Sequence, residues 1–264
     1  MSVLLQISDP HFGTEQPAVV EALVALARQL QPDLLVLSGD ITQRARPAQF
    51  QAARTFIGRL GAPVLAVPGN HDIPLFNLWA RLRHPYAGQM AAFGPDLEPV
   101  HASADMLVLC VNTTRAWRHK NGQVSARQID RVSHALASAR PAQLRVVVVH
   151  QPAAVARAED APNLLRGHAA ALQSWSAAGA DVVMGGHIHL PYVLAVPGLA
   201  RPIWAVQAGT AVSSRVRKDV PNSVNVLRWG EADSAGCCLV EQWDFLAARQ
   251  AFLCGRITTL TVCR

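Results

Sequence analysis

The chain has no apolar run of roughly 18 residues, the length a bilayer-spanning helix needs, so a transmembrane segment is not expected. Cysteine is sparse: Cys110, Cys237, Cys238, Cys254 and Cys263 form an odd set with no C-x-x-C spacing. That argues against a disulfide framework and leaves reduced, packed thiols as the expectation. Basic residues outnumber acidic ones, 24 to 18, yet there is no Lys/Arg run of five or more, and a basic stripe with interleaved aromatics of the kind that binds nucleic acid is not expected. Nucleic acid is therefore not the expected partner. A positive field around an anionic small-molecule substrate is the simpler reading. No internal repeat, low-complexity segment or linker divides the sequence, and half of it is apolar. One domain spanning 1–264 is expected. No basic region precedes the first apolar run, so no leader is expected and the location reads as cytoplasmic.

What is present is a series of short apolar runs that end alike. Val3 to Ile7, Leu34 to Leu37, Val64 to Val67, Val146 to Val149 and Val182 to Met184 are nearly continuous, as in strands buried on both faces. Each is closely followed by a polar cluster: Asp9-Pro10-His11, Gly39-Asp40, Gly69-Asn70-His71-Asp72, His150 and Gly186-His187-Ile188-His189. In an open α/β sheet the C-terminal strand ends line the ligand crevice, so clusters distant in sequence can meet there.

Asp9, His11, Asp40, Asn70, His150, His187 and His189 offer seven side-chain donors. With one carboxylate counted twice as a bridge they suffice for two divalent ions and exceed the needs of one. Carboxylate, amide and imidazole donors without thiolate suit Mn, Fe, Zn or Co rather than a structural zinc site. Each donor has a plainer reading by itself: Gly69-Asn70 suits a turn, Gly39-Asp40 a helix N-cap, and His150 a core histidine. Five coincidences in one order outweigh those readings. His84, His101, His119, His134 and His168 keep theirs and read as surface residues.

The blocks D-x-H, G-D, G-N-H-D, H and G-H-x-H, running from Asp9 to His189, resemble the calcineurin-like metallophosphoesterases. The resemblance implies an α/β fold, a four-layer α/β/β/α sandwich with a dinuclear metal site at strand C-terminal ends. It implies that Asp9, His11, Asp40 and His189 bind one metal, and Asp40, Asn70, His150 and His187 the other. His71 then matches the family's general acid, with Asp72 as its orienting partner. The implied reaction is attack on phosphorus by a hydroxide held between two divalent ions, with no covalent enzyme intermediate. Family relatives are often homodimers, and the late strands with Trp229 and Trp243 offer either apolar surface for such pairing or, as is more usual for these residues, part of the core.

Within the superfamily, Gly39-Asp40-Ile41-Thr42, Gly69-Asn70-His71-Asp72 and Gly185-Gly186-His187-Ile188-His189 are most similar to the bacterial 3',5'-cyclic-nucleotide phosphodiesterase branch. Asn112-Thr113-Thr114-Arg115 and Asn121-Gly122 resemble it too. The resemblance makes a phosphodiester such as 3',5'-cyclic AMP the expected substrate. The alternatives are a UDP-2,3-diacylglucosamine-type pyrophosphate hydrolase and a non-catalytic metal-bound scaffold, for which His71 would have no chemical use.

The remaining sequence supplies layers. Val20, Leu23, Val24 and Ala27, and Phe50, Ala53, Ile57 and Leu60, follow helical spacing. Ser125-Ala126-Arg127-Gln128 is a capping-box signature ahead of Ile129, Val132 and Leu136. After His189, apolar segments at Tyr192 to Val196, Ile203 to Gln207, Val224 to Leu227, Cys237 to Trp243 and Phe252 to Val262 predict strands that build a second sheet. Residues 73–105 have poor periodicity and read as a cap or insertion over the active site. Arg215-Val216-Arg217-Lys218 is a local basic cluster beside the Ala208-Gly209-Thr210 turn, either bordering the site or forming a solvated loop.

Overall fold

The computed structural model describes residues 1–230 and 237–263. Three apolar runs become the parallel strands β1 (Ser2–Ile7), β2 (Leu34–Ser38) and β3 (Val64–Val67). Between them lie helices α1 (Pro17–Leu30) and α2 (Pro47–Gly58), each begun by a proline in its first turn, where the missing N–H costs nothing. The next stretch carries a 3-10 turn (Asn70–Asp72) and two short helices, α3 (Leu78–Arg83) and α4 (Ala87–Phe93). A second sheet begins with β4 (Val100–Ala102) and continues through β5 (Met106–Cys110), β6 (Leu144–Val148) and β7 (Val182–Gly185). Helix α5 (Ala126–Ala137) starts at the Ser125 capping box, and α6 (His168–Ala177) precedes β7. The chain closes with β8 (Tyr192–Ala195), β9 (Trp204–Gln207), β10 (Ser223–Trp229), β11 (Cys237–Leu246) and β12 (Ala251–Thr261). Among the described residues no helix is long and apolar enough to cross a membrane.

The strand orders are β12-β11-β10-β1-β2-β3 and β4-β5-β6-β7-β9-β8. This corrects the expectation that the late strands build a second sheet of their own. The parallel strands are instead divided between two sheets, and the late strands are shared out between both. Open sheet edges explain it. Strand β10 covers the free edge of β1 in antiparallel register, Ser2 opposite Trp229, while β9 pairs in parallel with β7. Each satisfies a row of backbone groups that would otherwise stay unpaired. Strand β5 is fully buried as well. It leads into Asn112-Thr113 rather than His or Asp, so no donor cluster marked it.

Four layers result, an α/β/β/α sandwich. Leu4, Val36 and Val67 of one sheet meet Val108, Val148 and Met184 of the other in a central core. On the outer face of the first sheet, Leu5, Ile7 and Leu37 pack against Leu23, Ala27, Ala53 and Phe56 of α1 and α2. Val147, Val149 and Val183 do the same with Val132, Leu136 and Leu172 of α5 and α6. Each of the larger side chains among them, Val, Leu, Ile, Phe or Met, contributes about 1.5–3 kcal/mol of burial free energy. The strands are thereby held rigidly, and so are the loops that leave their C-terminal ends.

Candidate metal centre

The C-terminal ends of β1, β2, β3, β6 and β7 bring all five polar clusters to one place. His189 Nε2 lies 3.3 Å from Asp9 Oδ1 and from His11 Nε2. His11 Nε2 lies 3.8 Å from Asp40 Oδ2, and His150 Nε2 lies 3.3 Å from Asp40 Oδ1. The potential donors fall into groups whose ligand atoms all lie within 4.8 Å: Asp9, His11 and His189 on one side, Asp40, His150 and His187 on the other. Asp40 also joins His11 and His71 within that limit, which places it between the two sides.

The backbone is bent to achieve this. Among the described residues nine non-glycine positions have positive φ, and five of them are Asp9, His11, Asp40, His187 and His189. Such conformations are unfavourable for residues with a Cβ, and they persist where surrounding structure enforces them. Close approach between the loops needs glycine: a Cβ at Gly186 would collide with Ser8 Oγ and the Asp9 carboxylate, and one at Gly39 with the His150 ring.

Hydrogen bonds to backbone orient the imidazoles. His150 Nδ1 lies 2.8 Å from the Ser38 carbonyl, His189 Nδ1 2.5 Å from that of Arg215 and His71 Nδ1 3.0 Å from that of Gln43. A carbonyl only accepts, so Nδ1 carries the proton and Nε2 faces the site. Asp9 Oδ2 accepts from Ser8 Oγ at 2.7 Å and from the His187 amide at 2.9 Å, and Asp40 Oδ1 accepts from the His71 amide at 2.8 Å.

Buried charge is balanced within the cluster. Burial raises Asp9, but His189 and His150 outweigh it and hold the carboxyl at about 2. Asp40 is likewise held well below the usual range, burial being outweighed by His150 and His11. Burial pushes His11 and His187 down to about 3, the neutral form that offers a lone pair. In His150 the charge of Asp40 overcomes burial and lifts the imidazole to about 9, and Asp9 likewise raises His189.

This donor set fits divalent metal. Asn70 Oδ1 and both ring nitrogens of His187 are buried without a hydrogen-bond partner, and Asp9 Oδ1 and His150 Nε2 make no hydrogen bond beyond their 3.3 Å approaches to His189 and Asp40. Leaving that many polar atoms unpaired at one spot is costly unless a cation completes them.

Asp72 sits elsewhere than expected. Its carboxyl, buried and raised by burial and by Asp40 to about 6, does not meet the His71 ring. It accepts from the amides of Ile41 (3.0 Å), Thr42 (2.7 Å) and Gly69 (2.8 Å) and from Thr42 Oγ1 (2.8 Å). The 3-10 turn over Asn70–Asp72 directs the side chain back toward the loop after β2. Asp72 thus fastens the β2 and β3 loops together, and Gln43 orients His71.

A cavity of about 460 Å³ opens over the cluster, lined by Asp40, Asn70, His71, His187 and His189 together with His119, Lys120, Asn163, Arg215 and Arg217. The basic cluster therefore does border the site. Arg215 Nη1 reaches His71 Nε2 at 3.3 Å, while Arg217 pairs with Asp160 at 2.9 Å. His119 is exposed, as a surface histidine should be, yet it lines the cavity. The loop between Asn112 and Asn121 carries it there. Residues 73–105 contribute Ile73 and Leu75 to a small adjoining cavity.

Residues 2–191 match the calcineurin-like phosphoesterase family. The chain belongs to that family. Among curated relatives, this phosphoesterase is 28% identical over 203 residues to a cAMP/cGMP dual specificity phosphodiesterase of Mycobacterium tuberculosis, covering 71% of this chain and 61% of the relative. It is 28% identical over 136 residues to a probable cyclic nucleotide phosphodiesterase of Synechococcus, covering 48% and 49% of the two chains. The chain thus spans about half to three-fifths of these relatives' length. In fold the phosphoesterase is similar to a dimetal phosphatase from Danio rerio, with a TM-score of 0.69 at 14% identity over 99% of both chains. A purple acid phosphatase from yellow lupin gives the same score and identity over 98% of this chain and 53% of its own.

Proposed function

We propose that this chain is a metal-dependent phosphodiesterase acting on a small nucleotide phosphodiester, with 3',5'-cyclic AMP the leading substrate. The observation that carries the reading is the pair of donor groups meeting at Asp40, set at the base of a cationic cavity beside His71. The names of the two cyclic-nucleotide relatives support the substrate.

In this reading Asp9, His11, Asp40 and His189 hold one divalent ion, and Asp40, Asn70, His150 and His187 hold the other. Mn, Fe, Zn and Co all suit such nitrogen and oxygen donors. When bound, the ions supply Lewis acidity toward a phosphoryl group. The chain's own residues do the rest. Arg215 and Lys120 face the cavity and offset charge on the non-bridging oxygens. His71 gives its Nε2 proton to the departing alkoxide while Nδ1 stays on the Gln43 carbonyl. Arg215 is then placed to donate to the vacated Nε2. A lipid-linked pyrophosphate would need an apolar channel, whereas the cavity lining has Ile188 as its one aliphatic side chain.

The test is steady-state hydrolysis of bis-p-nitrophenyl phosphate, p-nitrophenyl phosphate and cyclic AMP by protein reloaded with Mn, with His71→Ala alongside. Turnover of the diester and cyclic AMP, with cyclic AMP turnover lost in the variant, supports the reading. Diester turnover without cyclic AMP turnover removes the cyclic nucleotide, and no turnover with two metals bound removes the enzyme.

A further inference from the structure

The surface beside the cavity mouth is apolar where a protein surface should not be. Phe76, Leu78, Trp79, Leu82 and Trp117 are each at least 65% exposed. Two segments carry them, and Arg81 ties these together: its Nη2 donates to the Arg118 carbonyl at 2.8 Å and its Nη1 to that of Pro74 at 3.0 Å. Leu82, Tyr86 and Trp117 line one shallow groove between the segments. The patch adjoins the metal site, because Leu75 shares a small cavity with Asn70, His71 and His119. Scattered apolar side chains on a surface need no account, but a cluster of large ones marks an interaction site.

Charge identifies the occupant. From Ile73 to Pro95, and again from Met106 to Ile129, there is no Asp or Glu. Arg44, whose guanidinium lies 5.7 Å from the Phe76 ring centroid, is exposed, and so are Arg83 and Lys120. Exposed Trp, Phe and Leu set among Arg and Lys, with acid excluded, is the composition of a surface that lies in a membrane interface. Pairing with a second copy about a two-fold axis would set two faces of the same positive sign against each other.

We propose that this face docks on an anionic lipid bilayer, holding the mouth of the metal site beside the membrane. Trp79, Leu82 and Trp117 enter the headgroup boundary while Arg44 and Arg83 meet lipid phosphates. Docking does not depend on which diester the enzyme cleaves.

Co-sedimentation of the full chain with vesicles of phosphatidylcholine alone, and of phosphatidylcholine mixed with phosphatidylglycerol, tests this. Binding to the anionic vesicles is expected, weakening with salt and shifting tryptophan emission to the blue. The double variant Trp79→Ser, Leu82→Ser lowers the partition coefficient by about tenfold or more. Arg83→Glu lowers it by roughly tenfold or more too, since each basic charge near such a surface is worth about fivefold. Both variants keep wild-type turnover of soluble bis-p-nitrophenyl phosphate. Absence of binding, equal binding to neutral vesicles, or binding untouched in both variants overturns the proposal. So does a solution dimer that the tryptophan and leucine substitutions dissociate, which would assign the face to a second copy. Vesicle binding by a protein without diesterase activity would leave docking standing and remove only the catalytic reading.

Discussion

Arg215 Nη1 stands 3.3 Å from His71 Nε2 and 2.8 Å from Gln43 Oε1, so one guanidinium bridges the proposed acid and the loop that orients it. Among the described residues no carboxylate pairs with Arg215, which leaves its charge open to the phosphoryl group of the proposed substrate. Arg215→Gln should lower kcat/KM by roughly 10- to 100-fold. Arg215→Lys should recover part of it, because a lysine keeps the charge but not the planar fork. Steady-state kinetics on the diester decide this, and an unchanged kcat/KM in Arg215→Gln would remove the residue from the site.

Asp40 is the donor common to both sides of the cluster. Asp40→Ala should abolish activity and leave fewer than two metals per chain by elemental analysis. Two retained ions with full turnover would refute its place between them.

His71→Ala should keep the metal content of the wild type if, as proposed, this ring serves the leaving group and not an ion. Its loss of rate should be roughly 10²–10⁴-fold on an alkoxide ester and far smaller on p-nitrophenolate, which leaves without a proton. Equal losses on both esters would mean that the ring positions substrate instead.

Asp72 distinguishes fastening from catalysis. Asn at this position can accept from one pair of its four donors only, stranding buried N–H groups at about 1–3 kcal/mol each. Asp72→Asn should therefore lower Tm and weaken metal binding, with near-normal kcat in the fraction that stays loaded. A normal Tm with kcat alone collapsed would restore the dyad that the sequence suggested.

Acidity governs the metal-free protein. In His150 the attraction of Asp40 overcomes burial and raises the group to about 9, and His189 is raised as well. A folded-state value above the unfolded one, about 6.5, gives stability that is complete below that pH and lost as the folded group deprotonates. Chelator-treated protein should thus melt lower at pH 9 than at 6.5. With saturating Mn the dependence should weaken or reverse, because the imidazole must shed its proton to bind metal. Thermal melts across that range check the sign, and a flat metal-free profile would contradict the pairing of His150 with Asp40.

The donors were legible because each lies just beyond a largely buried strand, where hydropathy and a polar break coincide. Hydropathy says that β10 and β9 are buried but not which edge they cover, so the division of strands between sheets could not be read. Strand β5 is as apolar as the others but ends without a metal-ligating side chain, so the donor pattern does not point to it. Asp72 misled because adjacency to His71 in sequence looks like a dyad, and only the turn at Asn70 shows the side chain facing the other way. His119 sits on a loop whose path is set by tertiary contacts, which local pattern does not encode.

Five donors held in left-handed backbone bear on how the enzyme would lose its ions. Glycine would relieve each of those positions, but it has no donor to offer, so the loops keep a conformation that the chain by itself disfavours. Chelation should therefore be felt first as local opening: amide hydrogen exchange at Asp9 to Phe12, Asp40 to Thr42 and His187 to Leu190 should quicken well before the strands beneath them exchange.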